Sequence, residues 1–382
     1  MRACLRRTWL RRVAAILAVG CVVGACMVVS ASGAARSPAK ASAPAGFYGV
    51  VPNTPLTKGD FKRMAKAGVG TIRLGINWSE IQSTEGGPFD FGQVDNLVGL
   101  AFNNNIQVLA TLTGTPAWES NGCGDQTCTR HIKLKNGKEK AAWKAFVGAA
   151  VSRYAPGGTF WQTSGGTLPG GIREWQLWNE QNNPNQKNSA KTYVQLVKLS
   201  NRIIKSFDPT ATIITGGMFG EPPGGGKKAT AWGYLKQLYN NGVGGKIDAV
   251  AIHPYAVKPG GMIPQIENLR KELKAAHHSK VQTWVTEIGW GSSKKKHPGT
   301  GGRGRAFQVG AKKQKANLKA SFKLLTSHRK EWNIGGVYWF SWKDPPKSAP
   351  AGLCAFCYSS GLYASNGAKA KPALGAFKAF AK

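Results

Sequence analysis

Carboxylates are scarce in this chain: 18 Asp and Glu stand against 52 Lys and Arg, a formal net charge of +34 over 382 residues. A field of that sign draws polyanions, among them nucleic acid, teichoic acid, acidic polysaccharide or an anionic membrane surface, without choosing between them. Many of these lysines serve only to keep the surface solvated. Cysteine is scarce too. Of seven, Cys4, Cys21 and Cys26 lie near the start, leaving Cys123, Cys128, Cys354 and Cys357. The six histidines (131, 253, 277, 278, 297 and 328) make no ligand spacing with acids, and Glu180 has no helical histidine partner. No metal and no cofactor are therefore expected. A glycine-rich phosphate turn is missing as well: the first strand runs into Val51-Pro52-Asn53-Thr54-Pro55, which offers no phosphate nest.

Residues 1–35 read as an export signal outside the fold. Arg2, Arg6, Arg7, Arg11 and Arg12 form a positive head, Val13 to Val29 an apolar run, and Ala31 to Ala35 a small-residue cleavage site. The run is marginal for a membrane span, which takes ~20 residues. After cleavage no stable membrane insertion is expected, and the mature chain is placed outside the cell or at its wall. Arg6-Arg7 has the form of a twin-arginine signal, and Val23-Gly24-Ala25-Cys26 that of a lipoprotein box. The apolar Met27-Val28-Val29 argues against the box. Export suits disulfides. Four cysteines allow three pairings, of which the local one, 123 with 128 and 354 with 357, is simplest; a four-cysteine zinc site is the alternative. Residues 36–45, small and proline-containing, read as a flexible linker, and 46–382 as one domain.

Along that domain short apolar runs alternate with amphipathic stretches. Strands are expected at 47–50, 71–75, 107–113, 173–178, 212–215, 247–253, 281–286 and 336–340. Helices are expected at 60–67, 94–103, 141–154, 190–207, 232–240, 263–276, 308–326 and 371–381. Alternation makes an α/β fold, and eight units close a (β/α)8 TIM barrel, whose functional groups sit where strands end. Those ends carry Arg73, then Trp118 after strand three, Asn179-Glu180, His253-Pro254-Tyr255, Glu287, and Trp339 to Trp342. Two glutamates among so few acids point to paired carboxylate chemistry at a glycosidic bond. Each has a structural reading as well. Glu180 could cap the helix near Ser189 or bind a surface lysine, and Glu287 could pair with Arg73 for stability alone. Thirteen tryptophans add apolar faces on which sugar rings pack.

Trp178-Asn179-Glu180, Thr286-Glu287-Ile288-Gly289-Trp290 and the His253-Pro254-Tyr255 between them resemble clan A of the glycoside hydrolases, families 5 and 39 above all. The chain's close, Gly361 to Gly367 and then Lys371-Pro372-Ala373, is similar to the end of many such barrels. The resemblance implies a retaining enzyme on a β-linked polysaccharide. It makes Glu180 the acid/base and Glu287 the nucleophile, with Asn179 on the 2-hydroxyl. Arg73 and Tyr255 would orient and ionise Glu287, His253 would line the site, and Trp339 would be a sugar platform, with Trp118 and Trp342 also binding substrate. The carboxyls should stand ~5–5.5 Å apart. The family often has proline after the acid; here it is Gln181, with Pro184 following, so the loop after strand four is expected to be rebuilt. A monomer acting on a polysaccharide, an anionic one included, is the expected state. The rival is a non-catalytic barrel binding carbohydrate or anionic polymer at the wall. A basic, glycine-rich loop at 294–305 could meet phosphate backbones, but it lacks interleaved aromatics, so no specific nucleic-acid partner is expected.

Overall fold

The fold begins with eight short strands: β1 (Tyr48–Val51), β2 (Thr71–Asn77), β3 (Gln107–Thr113), β4 (Glu174–Asn179), β5 (Thr212–Phe219), β6 (Ala249–His253), β7 (Gln282–Ile288) and β8 (Ile334–Phe340). They pair in parallel in chain order, and β8 pairs with β1, so the sheet closes into a barrel. Eight helices of ten residues or more cover it among the described residues: α1 (Lys58–Ala67), α2 (Gly92–Phe102), α3 (Gly137–Tyr154), α4 (Ala190–Phe207), α5 (Ala231–Asn240), α6 (Met262–Ala275), α7 (Ala311–Ser327) and α8 (Pro372–Ala381). This is the (β/α)8 barrel expected from the alternation. The computed structural model describes residues 43–120, 126–163, 170–295, 304–346, 348 and 354–382. The signal, most of the linker, Cys123 and the centre of the basic loop lie outside that set. None of the described helices is long and apolar enough to cross a membrane.

The strands read as near-continuous apolar runs because both of their faces are covered. Outward side chains such as Ile72, Ile213, Val285 and Val337 pack in one large core beneath the helices. Inward ones, Val51, Leu109, Ile214, Ala249, Ala251 and Tyr338, fill the barrel itself, a packed interior rather than a pore. Room for the Tyr338 ring comes from Gly49, where a Cβ would lie 2.4 Å from it.

Closure of the barrel is reinforced by one acidic residue. Thr57 and Asp60 form a capping box at the start of α1, the reciprocal bond pattern that satisfies two orphan N–H groups. The same Asp60 carboxylate, fully buried, also accepts from Arg63 at 2.7 Å, Lys343 at 2.8 Å and the Trp342 indole at 3.1 Å. The segment after β8 is thereby tied to the helix after β1.

Cys354 and Cys357 are disulfide-bonded to each other, as the local pairing expects. Cys128 is disulfide-bonded as well. With those sulfurs committed, the four-cysteine zinc alternative falls.

Candidate active site

At the C-terminal end of β4 the alternation of side chains breaks. Trp178 and Glu180 both have positive φ, 76° and 49°, a region that non-glycine residues rarely occupy and that clusters at functional sites. The break turns Trp178 outward, against Trp143 and onto Gln186. Asn179 is then delivered to Arg73, and Glu180 to His253. On β5 this crowding is met by glycine: a Cβ at Gly217 would lie 1.9 Å from the His253 ring.

Arg73, inward on β2 and 6 % exposed, organises the centre. Its Nε donates to Gln176 at 2.5 Å, one Nη to Glu287 at 2.5 Å and the other Nη to Asn179 at 2.7 Å. Glu287 also accepts from the Tyr255 hydroxyl at 2.9 Å. Burial alone would push the Glu287 carboxyl up. The neighbouring His253 ring, the Arg73 guanidinium and the Tyr255 hydroxyl act the other way, and they hold it below the usual carboxylate range. Burial, Glu287 and Glu180 together push the Tyr255 hydroxyl well up, so it stays a proton donor.

His253 is fully buried and bridges the two acids' surroundings. Its Nδ1 lies 3.0 Å from Glu180, and its Nε2 lies 3.1 Å from the Thr286 hydroxyl. Gln176 Nε2 donates to that hydroxyl at 3.2 Å. With its hydrogen on Nδ1, a neutral ring donates to Glu180 and accepts from the Thr286 hydroxyl. Glu180, His253 and Glu287 each present an atom within 4.8 Å of the others, a meeting that spacing along the chain had hidden. A cation could use such a spacing. Here Arg73 already supplies positive charge to Glu287, and both ring nitrogens are engaged.

A cleft of about 610 Å³ opens on this centre, lined by Arg73, Asn179, Glu287 and Phe340 and running over the ends of β1 to β3 past Gly75, Asn77 and Arg130. Asn179 uses its oxygen on Arg73 and so turns its amide NH2 to the cleft as a donor.

Residues 175–353 match the family model described as glycosyl hydrolase catalytic core. Over that stretch, a little under half of its length, the chain is similar to a glycosyl hydrolase catalytic core. Residues 52–131 match a second model, described as beta-galactosidase. A probable glucan 1,3-beta-glucosidase A of Aspergillus niger is 29% identical over 130 residues, which are 32% of this chain and 31% of that protein. Among solved structures, a family 39 glycoside hydrolase of Bacteroides cellulosilyticus superposes with TM-score 0.65 at 20% identity, over 90% of this chain and 65% of that one. A monomeric beta-xylosidase of Caulobacter crescentus gives TM-score 0.59 at 17% identity, over 87% of this chain and 67% of the other. At these identities the solved structures share their fold with this chain. The chain spans about a third of the length of the Aspergillus protein.

The core brings together six of the nine residues singled out from the sequence: Arg73, Asn179, Glu180, His253, Tyr255 and Glu287. The three tryptophans are placed elsewhere. Trp118 is half-buried, packs edge-on to Trp78 and donates its indole to the Gln82 carbonyl. Trp342 is fully buried on Asp60. Trp339, expected as the sugar platform, needs correction. It is 0 % exposed, faces the helices and donates to the Ser360 carbonyl. The inward, cleft-lining aromatic on β8 is its neighbour Phe340. Strand parity could have found it, because Tyr338 and Phe340 share a face that Trp339 does not. Gln176, Thr286 and Thr111 were also passed over; Thr111 donates to the same Gln176 oxygen as Arg73.

Replacing Phe340 by alanine is expected to raise KM for glycosides roughly three- to tenfold, the worth of one aromatic face. Replacing Trp339 by alanine is expected to cost about 3–5 kcal/mol of stability, while folded enzyme keeps its KM. Initial-rate kinetics and denaturant melts on the two variants check this, and the reverse pattern would restore Trp339 as the platform.

Proposed function

We propose that the mature chain is an exported, retaining β-glycosidase in which Glu287 is the nucleophile and Glu180 the acid/base. The observation that carries this reading is the placement of oxygens of the two carboxylates within 4.8 Å of each other. A retaining pair sits ~5–5.5 Å apart, whereas an inverting pair needs ~6.5–9.5 Å to admit a water.

The chemistry follows from the partners. Glu287, held ionised by Arg73 and Tyr255, attacks the anomeric carbon as Glu180 passes its proton to the leaving oxygen. Glu180 then takes a proton from water, which displaces Glu287 and releases the sugar with its configuration kept. Asn179 donates to the 2-hydroxyl beside the reacting carbon, and Phe340 offers a ring face to the sugar. Among the described residues, the charged side chains lining the cleft are Arg73, Arg130, Glu80 and Glu287, an even balance that suits a neutral sugar there. The arginine-headed apolar segment at 1–35 and the disulfides support export.

Proton NMR of an aryl β-glycoside digest tests the stereochemistry. The β-anomer is expected to form first and mutarotate afterwards; an α-anomer appearing first would overturn the retaining assignment.

A further inference from the structure

The Tyr255 ring that bonds Glu287 stands after the end of β6, outside the ladder. Its hydroxyl position therefore depends on what flanks the ring. Phe219 lies 5.9 Å away, Phe307 6.1 Å and Phe356 5.4 Å, measured between ring centres. Phe356 is the nearest of these and the most buried. It is 7 % exposed and also meets Phe307 at 5.3 Å and Phe340 at 6.3 Å. Thus it touches both the ring that serves the nucleophile and the ring that lines the cleft.

What fixes Phe356 is a small covalent loop. Cys354 and Cys357 flank it, joined by their disulfide with Cα atoms 5.2 Å apart. The Cys357 N–H donates to the Cys354 carbonyl at 2.9 Å, and the Ser359 N–H to the Phe356 carbonyl at 3.0 Å. Asn53, after β1, donates to the Cys357 carbonyl at 3.3 Å. Downstream, the Ser359 carbonyl accepts from Ser292 N–H at 2.8 Å and Gln314 at 3.2 Å. The loop is therefore anchored on its far side to the segments after β7 and α7's start, while the disulfide closes its near side.

We propose that Phe356, clamped between disulfide-bonded Cys354 and Cys357, is a positioning residue that sets the Tyr255 hydroxyl on Glu287. This rests on the retaining reading above, since it assigns Phe356 a role in presenting that reaction's nucleophile. Phe356 touches no reacting atom; it acts through Tyr255. Opening the disulfide with a dithiol moves two electrons and two protons onto the sulfurs. The S–S bond gives two thiols, and the reductant leaves as its own cyclic disulfide. Phe356 is then free to swing from Tyr255, and Glu287 loses part of one of its two hydrogen bonds. Among the described residues, the charged and titratable groups facing Glu287 are Arg73 from β2, Glu180 just after β4, and His253 and Tyr255 from β6 and the turn after it. Of these, Tyr255 is the one whose ring packs on Phe356.

The experiment compares wild type, Phe356→Ala, Phe356→Tyr and the double variant C354S/C357S. The double variant opens this loop while leaving the cysteine at 128 bonded. Each is assayed on an aryl β-glycoside across pH and, independently of turnover, by NMR of carboxyl-13C glutamate, with Glu287→Gln assigning the signal. Phe356→Ala and C354S/C357S should lose about tenfold in kcat with KM little changed. Their acid limb and the Glu287 carboxyl titration should move up together by about one pH unit. Phe356→Tyr should restore both. A kcat and titration left at wild-type values in Phe356→Ala would overturn the proposal, as would a kcat loss with an unmoved titration. Should Phe356→Ala fail to fold, C354S/C357S carries the same two outcomes. Wild type inert on every glycoside would overturn the function assigned above, while the carboxyl titration would still decide the positioning role.

Discussion

Glu287→Ala should be inactive on every β-glycoside, down by on the order of 10⁵-fold or more, the scale on which loss of a covalent nucleophile acts. Glu180→Ala should behave differently. Proton donation is worth about 10²–10⁴-fold, and a leaving group that departs without a proton does not need it. Aryl glycosides of acidic phenols should therefore still form the glycosyl-enzyme in Glu180→Ala, which then accumulates because no base activates water. Azide entering the vacated space should restore turnover and give a β-glycosyl azide. Stopped-flow release of the phenol, mass spectrometry of the labelled protein and the product's anomeric configuration read these steps. Equal residual rates in the two variants would sink the division of roles. In wild type, kcat/KM should fall on the acid side only when Glu287 protonates. Because its partners hold it below the ordinary value of about 4.3, activity should persist through pH 4 (a loss of rate centred near pH 6 would contradict that ionisation).

The second large effect concerns stability. Asp60→Ala removes the carboxylate on which Arg63, Lys343 and the Trp342 indole converge, and it strips α1 of its capping box. A Lys343 ammonium left about nine-tenths buried without its counter-ion is the costly part. Breaking such a pair costs about 3–5 kcal/mol, and the lost cap adds about 1 kcal/mol. The urea midpoint should drop accordingly with an unchanged slope. The same group has a pH signature. Burial would push the Asp60 carboxyl up, but bonds from Lys343, the Thr57 N–H, Arg63 and Trp342 prevail and hold it far below the usual range. Its stabilising contribution is thus complete above the unfolded value of about 3.9 and is lost as pH falls towards the folded one. Wild type should weaken through that acid window, and Asp60→Ala should not show this part of the loss.

Much of this was legible in the sequence, for identifiable reasons. Strand and helix positions follow from apolar runs, helical spacing and glycine stops; β3 runs where expected because it is apolar almost throughout, and α4 because its apolar residues recur at helical spacing. β5 runs on to Phe219 past the expected Thr215, since Gly216 and Gly217 look like a turn until His253 is known to press against them. Arg73, Asn179, Glu180, His253, Tyr255 and Glu287 were found because polar residues closing buried strands need a reason to be there. Trp339 was misplaced because residue type was weighed above strand parity. Trp339 and Phe340 are adjacent, and only register tells which of them looks inward. Gln176 and Thr286 carry no type-specific signal; their worth lies in bonds spanning 110 positions of the chain, which no local pattern contains.

Gly75 occupies an inward position at the top of β2, exposed on the cleft, and a Cβ added there would meet no atom within 4 Å. Two strand residues from the Arg73 guanidinium that bonds Glu287, the wall carries no side chain. Bulk can be added at this spot without disturbing the packing below, so substrate choice can drift by single substitutions while the ionic centre stays as it is. The fold thus separates what must be conserved for bond cleavage from what is adjustable for taste in sugars, by leaving the second as unfilled space.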